Sequence, residues 1–248
     1  MLSKNEVKYI QSLKAKKQRL EAGAFVAEGH KTVLELLAHQ RWTVQALYGT
    51  DEFLQSIPQK LLLPPKTVVV SQAELERISF LQTPQSCLAV VALPASTPAL
   101  FPATAWSLLL DDIQDPGNLG TIIRIADWFG IEHIFATEHT ADVFNPKVVQ
   151  ASMGSFLRVM VHYGPCETWL NKQRPACYIA DMHGSNVWQL QQPTPGVLVI
   201  GNEGNGVSEN IAAFATATIS IPKLGAAESL NAGVATGILL SHLLQKAN

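Results

Sequence analysis

The chain has 248 residues, 47% of them hydrophobic and 15% charged. The charged share is below the roughly 25% of an average soluble domain, so apolar material for a core is ample and a mainly disordered chain is excluded. At roughly 150 residues per domain the length suggests one to two domains, and two modest ones fit best. The net charge of −2 lacks the basicity of a typical nucleic-acid binder, yet its distribution is uneven. Residues 1–31 hold Lys4, Lys8, Lys14, Lys16, Lys17, Arg19 and Lys31 against Glu6, Glu21 and Glu28.

In chain order, residues 1–21 read as a lysine-rich amphipathic stretch with no apolar core or small-residue cleavage site, unlike a secretory signal. A cytoplasmic protein is expected. Val7, Ile10, Leu13 and Leu20 would share one face of a basic helix, and the other face would meet phosphates or solvent. From Phe25 to Leu93 a small alternating unit follows, with strands at 25–27, 44–48, 67–70 and 88–92. Helices are expected at 32–39 and 72–78, the latter with Ser71 as its N-cap.

The run between Arg77 and Asp111 carries no charge. Pro84, Pro94, Pro98 and Pro102 interrupt it, so no apolar stretch reaches the ~20 residues of a membrane span, and a soluble protein is expected. Three prolines within 94–102 mark a linker. The domains read as 1–93, a Pro-rich linker at 94–105, and 106–248. Cys87, Cys166 and Cys177 are scattered, with no Cys-x-x-Cys or His-x-x-x-His, so buried thiols and no metal centre are expected.

Beyond Trp106, apolar runs at 107–110, 133–136, 157–161, 178–180, 197–200 and 217–221 alternate with helical stretches. This pattern predicts an α/β domain with a parallel sheet covered on both faces. Ligands in such sheets gather at the carboxyl ends of strands, and three loops there stand out. The first, 111–120, leads into a helix carrying Asn118, readable as an N-cap, and Arg124, nearly two turns further on. It is no calcium loop, because the twelfth position is Ile122. The second, Gly201-Asn-Glu-Gly-Asn-Gly206, allows close backbone approach to a ligand and holds a carboxylate, Glu203, that a mere turn does not need. Its glycine order is not that of a dinucleotide loop. The third, 222–231, ends at Ser229-Leu230-Asn231 before a helix rich in small residues.

Together these loops resemble the three signature motifs of the SpoU (TrmH) family of RNA ribose 2′-O-methyltransferases, within the SPOUT superfamily. Residues 147–155 resemble the family's segment between the first two motifs. Lys14-x-Lys16-Lys17-x-Arg19 followed by Phe25-Val-Ala-Glu-Gly29 is similar to the appended substrate-binding domain, a small α/β fold shared with ribosomal proteins. The resemblance covers nearly the whole chain. It implies a deep trefoil knot, which general folding rules would not propose, and S-adenosylmethionine bound chiefly by backbone. Gly201, Ile221 and Leu230 would line that pocket and Asp181 would close it. It also implies a homodimer.

By the same resemblance Arg124 is the base, although an arginine with a pKa above ~12 does not ordinarily deprotonate. Either a perturbed guanidine takes the proton or the guanidinium stabilises the developing oxyanion. Asn118 and Ser229 would orient ribose and phosphate, Glu203 would hold Arg124 or the loop, and Asn231 would support the glycine-rich loop. Lys14, Lys16, Lys17 and Arg19 would contact RNA, the only nucleic acid offering a 2′-hydroxyl. Ribosomal and transfer RNA both remain open as substrates. A non-catalytic knotted RNA-binding or assembly protein is the alternative, and a dinucleotide-dependent oxidoreductase fits the loop order poorly.

Overall fold

The computed structural model describes residues 2–39, 41–95 and 100–246. Part of the expected linker, residues 96–99, lies outside the described residues. The first elements are α1 (Lys4–Ser12), α2 (Lys16–Ala22), β1 (Ala24–Glu28), α3 (His30–Ala38), β2 (Val44–Gly49), α4 (Asp51–Ser56), β3 (Lys66–Val69), α5 (Gln72–Ile78) and β4 (Cys87–Ala92). There follow β5 (Ser107–Leu110), α6 (Pro116–Trp128), β6 (His133–Ala136), α7 (Pro146–Ala151), β7 (Met160–Tyr163) and α8 (Cys166–Gln173). The last are β8 (Cys177–Asn186), β9 (Val197–Ile200), α9 (Glu209–Ala212), β10 (Ala217–Ser220) and α10 (Ala232–Lys246). By packing, the chain divides into Met1–Ser96 with Phe144–Leu157, and Thr97–Val143 with Arg158–Asn248. Among the described residues no helix is long and apolar enough to cross a membrane.

The first unit is built on a four-stranded sheet of order β1-β4-β2-β3, in which only β2 and β3 run parallel. Its helices start where short-range chemistry tells them to. Ser71 caps α5 through a capping box with Glu74, and Ser3 does the same for α1 with Glu6. Ile10, Leu75 and Ile78 then bury against Tyr48, Leu88 and Val90.

The N-terminal stretch is two short helices, not one. Leu13 is fully buried while Leu20, expected on the same face, is 65% exposed. The break leaves helix-end carbonyls open, and Arg19 answers it. Its side chain is buried, and Nη1 donates to the carbonyls of Leu13 at 2.9 Å and Lys14 at 2.8 Å. The expectation that Arg19 contacts RNA is therefore corrected: it closes the α1–α2 turn, whereas Lys14, Lys16 and Lys17 are exposed. Arg19→Ala should cost about 2 kcal/mol of stability in urea unfolding, since hydrogen bonds from a charged group contribute ~1.5–3 kcal/mol.

Glu28 ends β1 nearly buried, accepting from Ser79 Oγ at 2.5 Å and from the Phe80 amide at 2.8 Å. Burial outweighs these bonds and pushes its carboxyl above the usual carboxylate range. A raised folded-state pKa means stability that is present at low pH and lost as pH rises through the folded value. Wild type should therefore lose stability relative to Glu28→Gln as pH is raised from 4.5 to neutrality, as read from urea midpoints at each pH.

Residues 144–157, expected within the second domain, belong by packing to the first. The reason is aromatic: Phe144 and Phe156 pack against Phe25 and Trp42, mostly edge to face, with centroids 4.6 to 6.2 Å apart. Trp42 Nε1 also donates to the Leu157 carbonyl at 3.2 Å. Leu157, expected to open a strand, closes a 3-10 turn, and β7 starts at Met160.

The second unit carries a six-stranded sheet of order β10-β8-β9-β5-β6-β7, parallel throughout as the uninterrupted apolar runs predict. Strands β5 and β9 are buried along their whole length. Leu110 pairs with Ile200, so the loops at 111 and 201 leave the sheet side by side. The three cysteines are buried thiols, pushed up to about 12, 12 and 11 for Cys87, Cys166 and Cys177, chiefly by burial. They are unreactive at neutral pH.

Candidate active site

At the carboxyl ends of β9 and β10, against the middle of β8, lies a cavity of about 600 Å³, inside the ~300–1,000 Å³ usual for small-molecule sites. Gly201, Ile221, Leu230 and Asp181 all line it, as do Glu203 and Ser229. Its wall depends on a backbone approach that only glycine permits. A Cβ on Gly201 would stand 2.2 Å from the Gly206 carbonyl carbon and 2.4 Å from the Val207 nitrogen. The loop is closed by mutual backbone bonds between Asn202 and Gly206, at 3.0 and 2.8 Å.

A second wall was not foreseen apart from Asp181. Strand β8 pairs with β10 through Tyr178 and Ile179, then again through Ser185 and Asn186, while β10 advances only from Thr218 to Ile219. Residues 180–184 are thus surplus to the ladder, and four of them, Ala180 to His183, line the cavity. Asp181 turns this excursion by accepting from the His183 amide at 2.7 Å. Ser220 Oγ anchors it by donating to the Gly184 carbonyl at 2.8 Å. No run of residue types in the sequence announces a bulge of this length.

Asn118, Glu203 and Asn231, one from each loop, meet in a single polar chain. Asn118 Nδ2 donates to Glu203 Oε1, and Asn231 Nδ2 donates to Asn118 Oδ1 at 2.7 Å. Asn231 Oδ1 in turn accepts from the amides of Gly233 and Val234 at 3.0 and 3.2 Å, capping α10. Glu203 Oε1 also accepts from the Ala232 amide at 3.5 Å, at the positive end of that helix.

These contacts revise several expected roles. Asn118 is not an N-cap: Asp115 caps α6, accepting from the Asn118 amide at 2.8 Å. The Asn118 side chain is engaged at both ends by Glu203 and Asn231 and so joins the loops. Glu203 ties α6 to the start of α10, and Asn231 caps α10 while bracing the glycine-rich loop through Asn118 and Glu203. Arg124 is exposed on α6, outside the cavity wall, and Ser229 is exposed at the rim. The small residues of α10 do serve close packing. A Cβ on Gly233 would meet Thr121 Cγ2 at 2.8 Å, and one on Gly237 would meet Ile125 Cδ1 at 3.6 Å. Among the described residues no three His, Cys, Asp or Glu are grouped as a metal would need.

A parallel sheet whose strand ends open onto a glycine-walled cavity defines a small-molecule-binding α/β domain of the enzyme type. Residues 105–241 match the SpoU rRNA Methylase family, and residues 4–89 match the MRM3-like substrate binding domain. The chain belongs to the SpoU rRNA methylase family. It is 31% identical to the 23S rRNA (guanosine(2553)-2′-O)-methyltransferase RlmP of Bacillus subtilis, over 97% of each chain. A TrmH-family structure from Porphyromonas gingivalis superposes with a TM-score of 0.87 at 39% identity, covering 98% of both chains. An AdoMet-bound rRNA methyltransferase from Sinorhizobium meliloti superposes at 0.88 with 30% identity, covering 99% of this chain and 96% of that one.

Proposed function

We propose that this protein transfers a methyl group from S-adenosylmethionine to a ribose 2′-oxygen of ribosomal RNA. One observation carries the reading: the second and third family motifs line a 600 Å³ cavity and the first is tied to them through Asn118, in a chain that aligns over 97% of its length with a relative named for this reaction on 23S rRNA. Residues 1–93 serve as the RNA-binding domain, with Lys14, Lys16 and Lys17 as contacts, and 106–248 as the methyltransferase domain, carrying the family's knot.

The cavity suits the methyl donor. Ile200, Ile219, Ile221 and Leu230 offer apolar surface for an adenine and a thioether chain, and the backbone polar groups of the glycine-rich loop supply the hydrogen bonds. The donor, once bound, provides a methyl group already activated by a positively charged sulfur, so no metal is called for. The acceptor hydroxyl is a poor nucleophile while protonated. Arg124 either takes its proton or holds the developing oxyanion, and Ser229 at the rim orients the ribose and phosphate. The Asn118–Glu203–Asn231 chain keeps the three loops in one arrangement, so the reacting groups meet in line.

The protein works as a cytoplasmic homodimer in this reading. Trp128 on α6 is 86% exposed and Val234 on α10 49% exposed, apolar surface suited to a second copy. The test is incubation with labelled S-adenosylmethionine and separated ribosomal and transfer RNA, wild type beside Arg124→Ala, followed by nucleoside mass spectrometry. Arginine-dependent appearance of a 2′-O-methyl nucleoside in the ribosomal fraction is expected. Transfer to a base, or donor binding with no transfer to any RNA or ribosomal particle, overturns the reading, the latter in favour of a non-catalytic RNA-binding protein.

A further inference from the structure

We propose that Asp111 is a positioning residue whose buried carboxylate holds the exit of the glycine-rich loop and thereby sets the affinity of the cavity for the methyl donor. The inference rests on the function proposed above for its second half only. Asp111 is the first residue after β5 and only 6% exposed. A carboxylate in that setting is costly unless hydrogen-bonded, and its partner is the Ser208 amide, which donates to Oδ2 at 2.7 Å. The Asp111 amide itself donates to the carbonyl of Ile200, the last residue of β9, at 2.9 Å. Asp111 is therefore pinned beside the start of the loop while gripping its end.

The entry of the same loop is held by the neighbouring residue. Asn202 Nδ2 donates to the Asp112 carbonyl at 2.9 Å, and Asn202 Oδ1 accepts from the amides of Gly204 and Asn205 at 2.9 and 3.2 Å. Asp112 adopts a left-handed φ of 58° and donates its amide to Thr137 Oγ1 at 2.9 Å, which sets the direction of its carbonyl. Both ends of residues 201–208 are thus moored to the two aspartates after β5. Residues 201–206 between those moorings line the cavity. Nothing in the reaction requires Asp111 to touch the donor. It acts through the loop.

The test uses the full-length protein and three variants. Asp111→Ala deletes the acceptor. Asp111→Asn keeps an oxygen able to accept from Ser208. Ser208→Pro deletes the N–H from the other side, at a φ of −61° that suits proline. Amide hydrogen exchange across 201–208 reads the mooring directly, and calorimetric titration with S-adenosylmethionine reads its consequence. Asp111→Ala and Ser208→Pro should exchange faster across the loop and bind the donor about tenfold more weakly, with kcat at saturating donor within about threefold of wild type. Asp111→Asn should recover most of the affinity, a rescue that general loss of stability would not produce. Unchanged exchange in both Asp111→Ala and Ser208→Pro overturns the proposal, as does a fall in kcat with donor affinity intact. Failure of wild type to bind the donor would sink the functional reading alone, because loop exchange is read without it.

Discussion

Arg124→Ala is expected to lower kcat by about 10²–10⁴-fold, the range for removing a group that moves a proton or meets developing charge. S-adenosylmethionine affinity should stay within about twofold, because a side chain that acts only in the transition state leaves ground-state binding alone. The structure supports this separation: Arg124 is exposed on α6 and outside the cavity wall, so its loss opens no core and removes no donor contact. Arg124→Lys distinguishes the two ways the residue could act. Lysine carries a charge but titrates differently from guanidine. A shifted pH–rate profile would mark the guanidine as the base, and an unchanged profile would leave it the role of orienting and stabilising the oxyanion. Equal loss of activity and donor affinity in Arg124→Ala would remove Arg124 from the chemistry altogether.

Gly201→Ala is expected to weaken donor binding by about 100-fold, roughly 2.7 kcal/mol. The added methyl would stand 2.2 to 2.4 Å from backbone atoms of Gly206 and Val207, which no rotamer change relieves. The loop must open, breaking the paired Asn202–Gly206 bonds that shape the cavity wall. Gly237→Ala, on α10 and outside the cavity lining, is the matched control. A Cβ there meets Ile125 Cδ1 at 3.6 Å, an ordinary contact, so affinity should remain within about twofold. Isothermal titration with S-adenosylmethionine measures both, and circular dichroism checks that the sheet persists. Equal affinities would show that the glycine-rich loop does not form the donor site.

What local sequence could announce, it announced closely. Ser71 and Glu74 lie three residues apart, and a capping box needs nothing more distant, so α5 begins and ends where the pattern places it. The runs at 107–110, 133–136 and 197–200 are strands residue for residue, because a strand buried on both faces reads as a nearly continuous apolar run. Gly201, Ile221, Leu230 and Asp181, grouped by the family resemblance, line one cavity.

Side-chain roles were less accessible. Asn118 carries the same amide whether it caps a helix, orients a ribose or joins two loops, and the choice belongs to partners 85 and 113 residues away. Arg19 lies among lysines and reads as one more RNA contact. Only the break between α1 and α2 shows that two carbonyls need its guanidinium.

The sequence by itself determined the apolar strands of the parallel sheet and the capped helix α5, since each depends on neighbours within a turn or a strand. Tertiary structure alone decided the order β10-β8-β9-β5-β6-β7, the excursion of residues 180–184 into the cavity wall, and the transfer of 144–157 to the first unit's aromatic cluster. Those outcomes depend on which apolar surfaces find each other across tens of residues. Burial is non-directional and many pairings satisfy it locally, so only the packed whole selects one.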